Sequence, residues 1–515
     1  MRDPPAPAVF LFVLTSLRSL VASLALLLLP GARALAGSPP QDLAALAEQG
    51  KAAMAAGRFD EAARLYAGIV EALPGEPGMR LNLGMALSMA GRPDEAVPHL
   101  EAALRLRPDL LPAALFLGAA QMEAGQPARA VTPLRTFLAA QPENLDARGM
   151  LAQALSTLGR HDEAAREYQA LSERAPGDAR AWFGLGRSYE GIARDALEAL
   201  ERQAPDSPWI LLLVADGLVA QERDKNAFAL YREALEKEPG LPEAHEALAR
   251  IYERTDHPDW AATERARAAA LPPRGCEAAT PECAYRTGRF QRALELGRSL
   301  SAPEAHYWRS RAADSLARDA FVRLEALPPS PEAALVRVGV LRAQRRYAES
   351  KDQLQAAIGR WPGDVRLHHE LATLLVIGRE YDAARPVLEK LLEGDPDSAE
   401  LNLLMGESWV ESRRPTEALP YLERAVRRDP SLLHARAVLG RAYLDAGDAA
   451  RAVPHLEAAL ETDADGSIHL QLARAYQATG QAERARKTRQ EFQENRRLSE
   501  AQALADDETF AITQP

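Results

Sequence analysis

Two histidine–glutamate pairs are the features of this sequence that come nearest to a metal-dependent active site. His245 and His369 are each followed by glutamate, as in the His-Glu-x-x-His helix of zinc proteases, where two histidines four residues apart bind the metal. The residues four positions further on are Ala249 and Thr373, so each pair lacks the second ligand. We therefore expect both pairs to be ordinary helix-surface groups, and we predict no metal site.

The signatures of other enzyme classes are also missing from the sequence. It contains no Gly-x-Ser-x-Gly nucleophile elbow, no phosphate-binding loop and no dinucleotide fingerprint. Gly184-x-Gly186 resembles part of that fingerprint, but it continues into a helical pattern instead of following a strand. We expect its glycines to be packing residues, and we predict a protein that is not an enzyme and binds no cofactor.

The only two cysteines are Cys276 and Cys283. Seven residues on one straight helix would place them about 10.5 Å apart, which is too far for a disulfide. Gly275 and Pro281 argue against a straight helix here, so we predict a local disulfide that closes an irregular loop. The alternative is two independent buried thiols.

The N-terminal segment has the pattern of a secretory signal peptide. An apolar run at 19–29 follows Arg18, and the small-residue pattern Ala34-Leu35-Ala36 comes after it. We predict a signal peptide over residues 1–36, cleaved after Ala36, and a protein that is periplasmic or secreted. The alternative is an uncleaved membrane anchor at 9–29 facing the periplasm, in which Arg18 would sit mid-span at a cost of about 3 kcal/mol.

The charge of the chain argues against nucleic acid as a ligand. The formal net charge is −11 and the sequence pI is near 5.6. Loss of residues 1–36 would remove three arginines and one aspartate, which changes the net charge to −11 − 2 = −13. No overall positive field is present to attract a phosphate backbone, so we predict no nucleic-acid partner.

Length and composition favour a helical repeat array. At 515 residues the chain exceeds what a single hydrophobic core usually spans. Hydrophobic residues make up 47% of it but aromatic residues only 6%, and alanine is frequent, which favours closely packed helices. We therefore predict an all-α fold.

The sequence repeats itself with a period of about 34 residues. Small residues in two columns would let paired helices approach, a glycine between them would allow a turn with positive φ, and a proline would end each unit. The columns are Gly50, Gly84, Gly118, Ala152 and Gly186; Gly57, Gly91, Gly125 and Gly159; Ala62, Ala96, Ala130 and Ala164; and Pro74, Pro108, Pro142 and Pro176. Gly406 and Gly440 continue the first column near the C-terminal end.

Trp182-x-x-Leu185-Gly186-x-x-Tyr189 resembles the first-helix signature of the tetratricopeptide repeat. The resemblance implies helical hairpins stacked in a right-handed solenoid. The predicted units are 43–74, 77–108, 111–142, 145–176, 208–239, 242–273, 331–362, 365–396, 399–430, 433–464 and 466 to about 497.

Two segments depart from the repeat and resemble each other. Residues 187–197 align with 311–321, and neither has the glycine turn in its usual place. Glu304 to Leu327 contains no Gly or Pro, and Ser301 with Glu304 can form a capping box ahead of it. We therefore predict two atypical long-helix modules.

These departures give the predicted division of the chain. Its parts are an N-terminal block at 43–273, an atypical module at 274–330, a C-terminal block at 331–497 and a polar flexible tail at 498–515.

The resemblance implies that the first helix of each pair lines a concave groove that binds a partner. In the N-terminal half this set is mainly apolar; in the C-terminal half it is charged. The alternative is that the apolar members pack between helices. The first set is Leu81, Met85, Met89, Leu115, Met122, Phe183, Arg187, Trp209, Leu212 and Asp216, and the second is Arg366, His369, Glu407, Glu411, Arg441 and Arg474.

The function predicted from these features is an exported scaffold or adaptor that binds protein partners or peptide segments in its groove. Its layout is similar to that of periplasmic repeat proteins of envelope assembly and polysaccharide export. We expect membrane contact only through the N-terminal segment, if it is uncleaved. The alternative is a noncatalytic subunit or an enzyme that binds a small molecule or glycan in the groove.

Overall fold

A computed structural model describes residues 40–271, 280–463, 466–493 and 512–515. In these ranges the regular structure is helical and includes no β-strand. Short helices follow one another as pairs, and the eleven predicted units coincide with such pairs. The predicted all-α fold is confirmed.

Contacts divide the chain into two compact units, of which unit 1 comprises Met1–Gln203 and Cys276–Ala333. Four regular helix pairs are followed by a long helix, and the second segment adds a short pair and another long helix. The described helices are α1 (Pro40–Ala55), α2 (Phe59–Ala72), α3 (Pro77–Met89), α4 (Pro93–Leu106), α5 (Leu111–Glu123), α6 (Pro127–Ala140), α7 (Leu145–Thr157), α8 (His161–Arg174), α9 (Ala179–Gln203), α14 (Pro281–Arg286), α15 (Phe290–Arg298) and α16 (Pro303–Glu325).

Unit 2 comprises Ala204–Gly275 and Ala334–Pro515. It consists of regular helix pairs, and its second segment begins in the first turn of α17. The described helices are α10 (Pro208–Ala220), α11 (Asp224–Lys237), α12 (Pro242–Arg254), α13 (Pro258–Ala270), α17 (Pro331–Ala343), α18 (Tyr347–Arg360), α19 (Val365–Ile377), α20 (Tyr381–Gly394), α21 (Ala399–Glu411), α22 (Pro415–Arg428), α23 (Leu433–Asp445), α24 (Ala449–Ala459) and α25 (Ser467–Ala478). A 3₁₀ turn at Leu460–Thr462 follows α24, and residues 482–493 are helical.

The turn within each pair places one residue in the left-handed region. In unit 1 that residue is a glycine, as at Gly91, where φ is 75°. In unit 2 most of the equivalent turns carry side chains at positive φ, which costs about 1–2 kcal/mol per residue. These residues are Glu222, Asp256, Arg345, Arg379 and Arg413, with φ between 59° and 62°.

Small residues set the spacing inside each pair. Ala96 on α4 is fully buried, and a Cβ atom added to Gly84 on α3 would overlap Leu100 on α4. Gly118 faces Leu134 in the same way one pair later. The large side chain therefore fills the space that the glycine leaves.

Two long helices replace regular pairs in unit 1, as predicted. Helix α9 has 25 residues and α16 has 23, and they run antiparallel. The side-chain oxygen of Gln203 at the end of α9 accepts a hydrogen bond from His306 Nε2 at the start of α16, at 3.2 Å. Gly186 near the start of α9 packs against Phe321 near the end of α16. The two segments that resemble each other in sequence are therefore packed against each other.

Two details of this region differ from the sequence predictions. The prediction of a capping box was wrong, because the N-cap of α16 is Ala302 and no side chain caps the helix. Glu304 instead accepts a hydrogen bond from Trp308 at 3.3 Å. The compact units also do not follow the predicted linear blocks. Because α9 pairs with α16, residues 276–333 belong with the first four repeats instead of forming a separate module.

Several predictions concern residues outside the described ranges. The signal peptide or anchor, Cys276 and residues 498–511 of the tail lie there, so those predictions remain predictions. Within the described ranges, no helix has both the length and the apolar character needed to cross a membrane.

Candidate protein-binding surfaces

The apolar set predicted for the groove is largely buried in unit 1. Leu115 and Met122 on α5 are 2% and 3% exposed, and Leu81 and Met89 on α3 belong to the same hydrophobic cluster. Met85 is only partly buried and packs against that cluster. The packing alternative therefore describes the buried members of this set, and partner binding by the set stays a prediction.

The remaining members of that set have different surroundings. In unit 1, Phe183 is half-buried, whereas Arg187 is exposed and pairs with Glu190 at 2.6 Å. In unit 2, the side chains of Trp209 and Leu212 are buried. Asp216 also lies in unit 2 and accepts a hydrogen bond from Tyr231 at 2.6 Å. These residues support the helix pairs more than they present a surface.

Three buried polar side chains accompany the apolar cluster of unit 1. Ser88, Gln121 and Glu123 are at most 6% exposed, and each has a buried side-chain oxygen without a hydrogen-bond partner. Burial raises the pKa of Glu123 to about 7. The sequence reasoning missed this carboxyl, although Glu123 occupies the same repeat position as Met89.

The charged set of unit 2 is more accessible and largely paired between neighbouring repeats. Arg441 donates to Glu411 at 2.5 Å, and Glu407 pairs with His434. The hydrogen bond to Glu407 raises the pKa of His434. Arg474 is exposed, and Arg366 bonds with Asp364 at 2.6 Å. This set forms a surface of mixed charge on successive first helices.

The two histidines of the protease-like pairs are buried, so their prediction as surface groups was wrong. His245 is 8% exposed and its Nδ1 lies 2.5 Å from Glu264, while His369 is 7% exposed and lies 3.5 Å from Glu400. Burial raises the pKa of Glu264, but the hydrogen bond from His245 and the charges of His245 and Arg267 outweigh it and hold that pKa below its ordinary value. In the part of the chain that the structure describes, no group of three metal-ligating side chains occurs.

Cys283 is buried at the start of α14, where its N–H donates to the Thr280 side chain at 3.2 Å. Since Cys276 is not described, the predicted pairing stays a prediction. Cys283 itself lies in the six-residue helix α14 (Pro281–Arg286) and not in an irregular loop.

A cavity of about 240 Å³ lies within unit 1 between α8, α9 and α15. Tyr189, Asp162 and Gln291 contribute polar groups to its wall. Its volume is below the range of about 300–1,000 Å³ that is usual for drug-sized ligands.

The last described residues, Ile512–Pro515, contact unit 2 instead of extending freely. Tyr252 on α12 donates a hydrogen bond to the main-chain carbonyl of Thr513 at 2.6 Å. Ile512 and Pro515 are partly buried, whereas the two residues between them are exposed. The predicted flexible tail is therefore wrong for these four residues.

Comparison with family models identifies the repeat. Three models, each described as tetratricopeptide repeat, match residues 87–136, 122–185 and 409–469; 47–110, 335–399 and 369–432; and 466–490. Together they cover more than half of the chain. The chain belongs to the tetratricopeptide-repeat family. Tetratricopeptide-repeat proteins are generally non-catalytic scaffolds for protein–protein interaction.

Solved structures with similar folds include the MamA protein, with 23% identity over 39% of this chain and 94% of that chain and a TM-score of 0.29. A tetratricopeptide repeat protein from Parabacteroides merdae has 14% identity over 71% and 98%, with a TM-score of 0.34. The P58(IPK) tetratricopeptide-repeat domain has 17% identity over 79% and 98%, with a TM-score of 0.22. Comparison with curated proteins gave no significant match.

Two C-terminal tetratricopeptide repeats share a tyrosine arrangement. Tyr443 on α23 donates to Glu423 of the preceding repeat at 2.6 Å, and Arg451 lies over its ring at 4.5 Å. In the next repeat, Tyr476 donates to Glu457 at 2.5 Å, and Arg484 lies over its ring at 4.3 Å. In this arrangement the phenol is satisfied within the repeats.

Tyr252 holds the same repeat position with different neighbours. Arg232 stands where the other two repeats have glutamate, and Trp260 stands where they have the stacking arginine. Trp260 meets the Tyr252 ring edge-on at 5.5 Å and stacks on His257 at 4.1 Å. Because a guanidinium cannot accept a hydrogen bond, the Tyr252 hydroxyl donates to Thr513 instead.

Proposed function

We propose that this tetratricopeptide-repeat chain is an exported scaffold that binds extended segments of protein partners on the surface of its repeats. The proposal of export rests on the N-terminal pattern at 1–36. The scaffold role is typical of the family, and the surface of mixed charge on successive first helices of unit 2 supports it.

The observation that carries the proposal is the position of Ile512–Pro515 on unit 2. A first helix of the array holds a stretch of polypeptide without regular secondary structure through a hydrogen bond to its main chain. Main-chain recognition of this kind does not require a particular side chain, so a segment of another protein can make the same bond.

The setting that we propose is envelope assembly or polysaccharide export, where a protein of this layout would hold a partner in place. The experiment is affinity capture with the tagged full-length chain from an envelope extract. We expect one protein to be recovered in stoichiometric amount after washing at moderate salt. Capture of no stoichiometric protein by a folded chain would contradict the scaffold role.

A small molecule or glycan is the second candidate ligand, and the cavity between α8, α9 and α15 is the observation in its favour. We prefer a protein partner because the cavity is small for such a ligand. If the function is glycan binding, soluble envelope polysaccharide will raise the melting temperature of the chain, and Gln291→Ala will abolish that rise.

A further inference from the structure

Three side chains that meet in unit 2 distinguish the repeat that contains Tyr252 from the repeats that contain Tyr443 and Tyr476. We call Arg232, Tyr252 and Trp260 the Tyr252 site, and Ile512–Pro515 the strap. We propose that the Tyr252 site binds extended peptide main chain, that the strap occupies it in cis, and that the strap competes with the partner segment. This inference rests on the proposed scaffold function and adds the location and regulation of its site.

The chemistry of the Tyr252 site depends on Arg232, which occupies the repeat position that glutamate holds in the other two repeats. In the repeats of Tyr443 and Tyr476, a glutamate of the preceding repeat accepts a hydrogen bond from the tyrosine hydroxyl. Burial and the nearby Glu264 carboxylate raise the pKa of Tyr252, and together they outweigh the lowering effect of the Arg232 guanidinium. The phenol therefore stays protonated, and because Arg232 offers no acceptor, its proton is available to an external carbonyl. The strap supplies that carbonyl at 2.6 Å.

The aromatic neighbours define the shape of the site. Tyr252 is fully buried with the strap in place, and its ring meets Phe228 at 5.7 Å and Trp260 at 5.5 Å. Trp260 has replaced a charged arginine, so this surface is more apolar than the equivalent surface at Tyr443. A segment with apolar residues on both sides of a short polar stretch matches this apolar character, and the strap has that pattern, with partly buried Ile512 and Pro515 on either side of two exposed residues.

The strap is held weakly enough to be displaced. One hydrogen bond contributes about 1 kcal/mol net, and only two of the four strap residues are partly buried. Because the strap belongs to the same chain as the site, we take its effective concentration to be about 1 mM. If the strap itself has a dissociation constant of about 100 μM for the open site, a free peptide would bind the intact chain roughly tenfold more weakly than the shortened chain.

The test is binding of a fluorescein-labelled peptide of residues 504–515, followed by fluorescence anisotropy. We compare the full-length chain with a variant that ends at residue 511, and with full-length Ile512→Gly/Pro515→Gly. The shortened variant should bind the peptide about tenfold more tightly than the full-length chain does, and the double glycine variant, which keeps the main-chain hydrogen bond, should show a smaller gain. Circular dichroism should show equal helicity for all three proteins.

The matched substitution is Arg232→Glu in the variant that ends at 511. It restores the acceptor found in the other repeats, so Tyr252 should bond to it and peptide affinity should fall at least tenfold. Tyr443→Phe in the same background is the control, since it removes the equivalent phenol from a repeat without a strap. It should leave peptide affinity unchanged.

Equal peptide affinity in the full-length and shortened chains would contradict the proposal that the strap competes for the Tyr252 site. Unchanged peptide affinity after Arg232→Glu in a folded protein would contradict the proposal that the peptide binds at the Tyr252 site. Either result would leave the scaffold function standing if affinity capture still recovers a stoichiometric partner. Recovery of more partner with the shortened chain than with the full-length chain would support both proposals.

Discussion

At the scale of single residues, an apolar side chain on a first helix is not necessarily buried. Met85 and Met122 both lie on first helices of unit 1, but Met85 is partly exposed and Met122 is 3% exposed. The sequence identified both as apolar members of one face. It could not show burial on that face, because burial depends on residues distant in sequence that pack against it.

Met122→Asp should destabilise unit 1 strongly, because it removes a packed side chain and places a carboxyl in an apolar cluster. We expect a loss of at least about 3 kcal/mol in the free energy of unfolding, measured by urea denaturation. Met85→Asp is the matched control and should cost less than about 1 kcal/mol. Equal small losses would mean that Met122 is not a core residue in solution.

Glu123 should make the stability of unit 1 depend on pH. Its folded-state pKa of about 7 lies above the ordinary value of 4.5, so its neutral form favours the fold. That stability is fully present below about pH 4.5 and is lost as the pH rises through 7. Glu123→Gln should therefore be more stable than wild type at pH 8, by up to about 3 kcal/mol, and nearly equal to it at pH 5.

The measurement is urea denaturation of both proteins at the two pH values. Glu71→Gln, at an exposed position on α2, is the control and should show no such difference. A constant gap between wild type and Glu123→Gln at pH 5 and pH 8 would show that the carboxyl does not titrate between them.

At the scale of elements, the turns show how far the period determines local structure. Gly57, Gly91, Gly125 and Gly159 predicted a positive φ, and the structure has it at each of them. In unit 2 the same backbone conformation occurs at residues that give no such signal, including Arg379 with φ of 59°. The packing of neighbouring helices therefore imposes this turn even where the local residue disfavours it.

Arg379→Gly should stabilise unit 2 by about 1 kcal/mol, because glycine adopts the left-handed conformation without steric cost. Arg379 is exposed, so little packing is lost with its side chain. The reverse change, Gly91→Arg, should destabilise unit 1 by a similar amount. Differential scanning calorimetry should show the two melting temperatures moving in opposite directions. A lower melting temperature for Arg379→Gly would show that its side chain makes a stabilising contact.

The long helices also belong to this scale, and the sequence predicted them for a sound reason. Residues 304–327 contain no Gly or Pro, so nothing in them favours a turn, and the single helix α16 covers all but the last two of them. Their mutual packing was not predictable from the periodicity. Gly186 keeps its repeat role as a small contact residue, but its partner is Phe321 on α16 instead of a side chain on its own second helix.

At the scale of the whole molecule, a repeat sequence specifies neighbours well and distant contacts poorly. Each repeat of the array packs on the next one, so the period alone predicted the helix pairs over 43–176. The return of residues 276–333 to unit 1 and the contact of Thr513 with Tyr252 join segments far apart in sequence. The replacement of glutamate by Arg232 was visible in the sequence, but its meaning depends on knowing which residues surround Tyr252.

Export is the property of the whole chain that most affects its partners, and it is tested at the N-terminus. The small-residue pattern that ends at Ala36 predicts cleavage there, so the mature protein should begin at Gly37. N-terminal sequencing of protein purified from the producing cell checks this directly, and Ala34→Arg/Ala36→Arg should block cleavage and leave the longer form at the membrane. A purified wild-type protein that still begins near Met1 would instead favour an anchor at 9–29, and the scaffold would then act at the membrane surface.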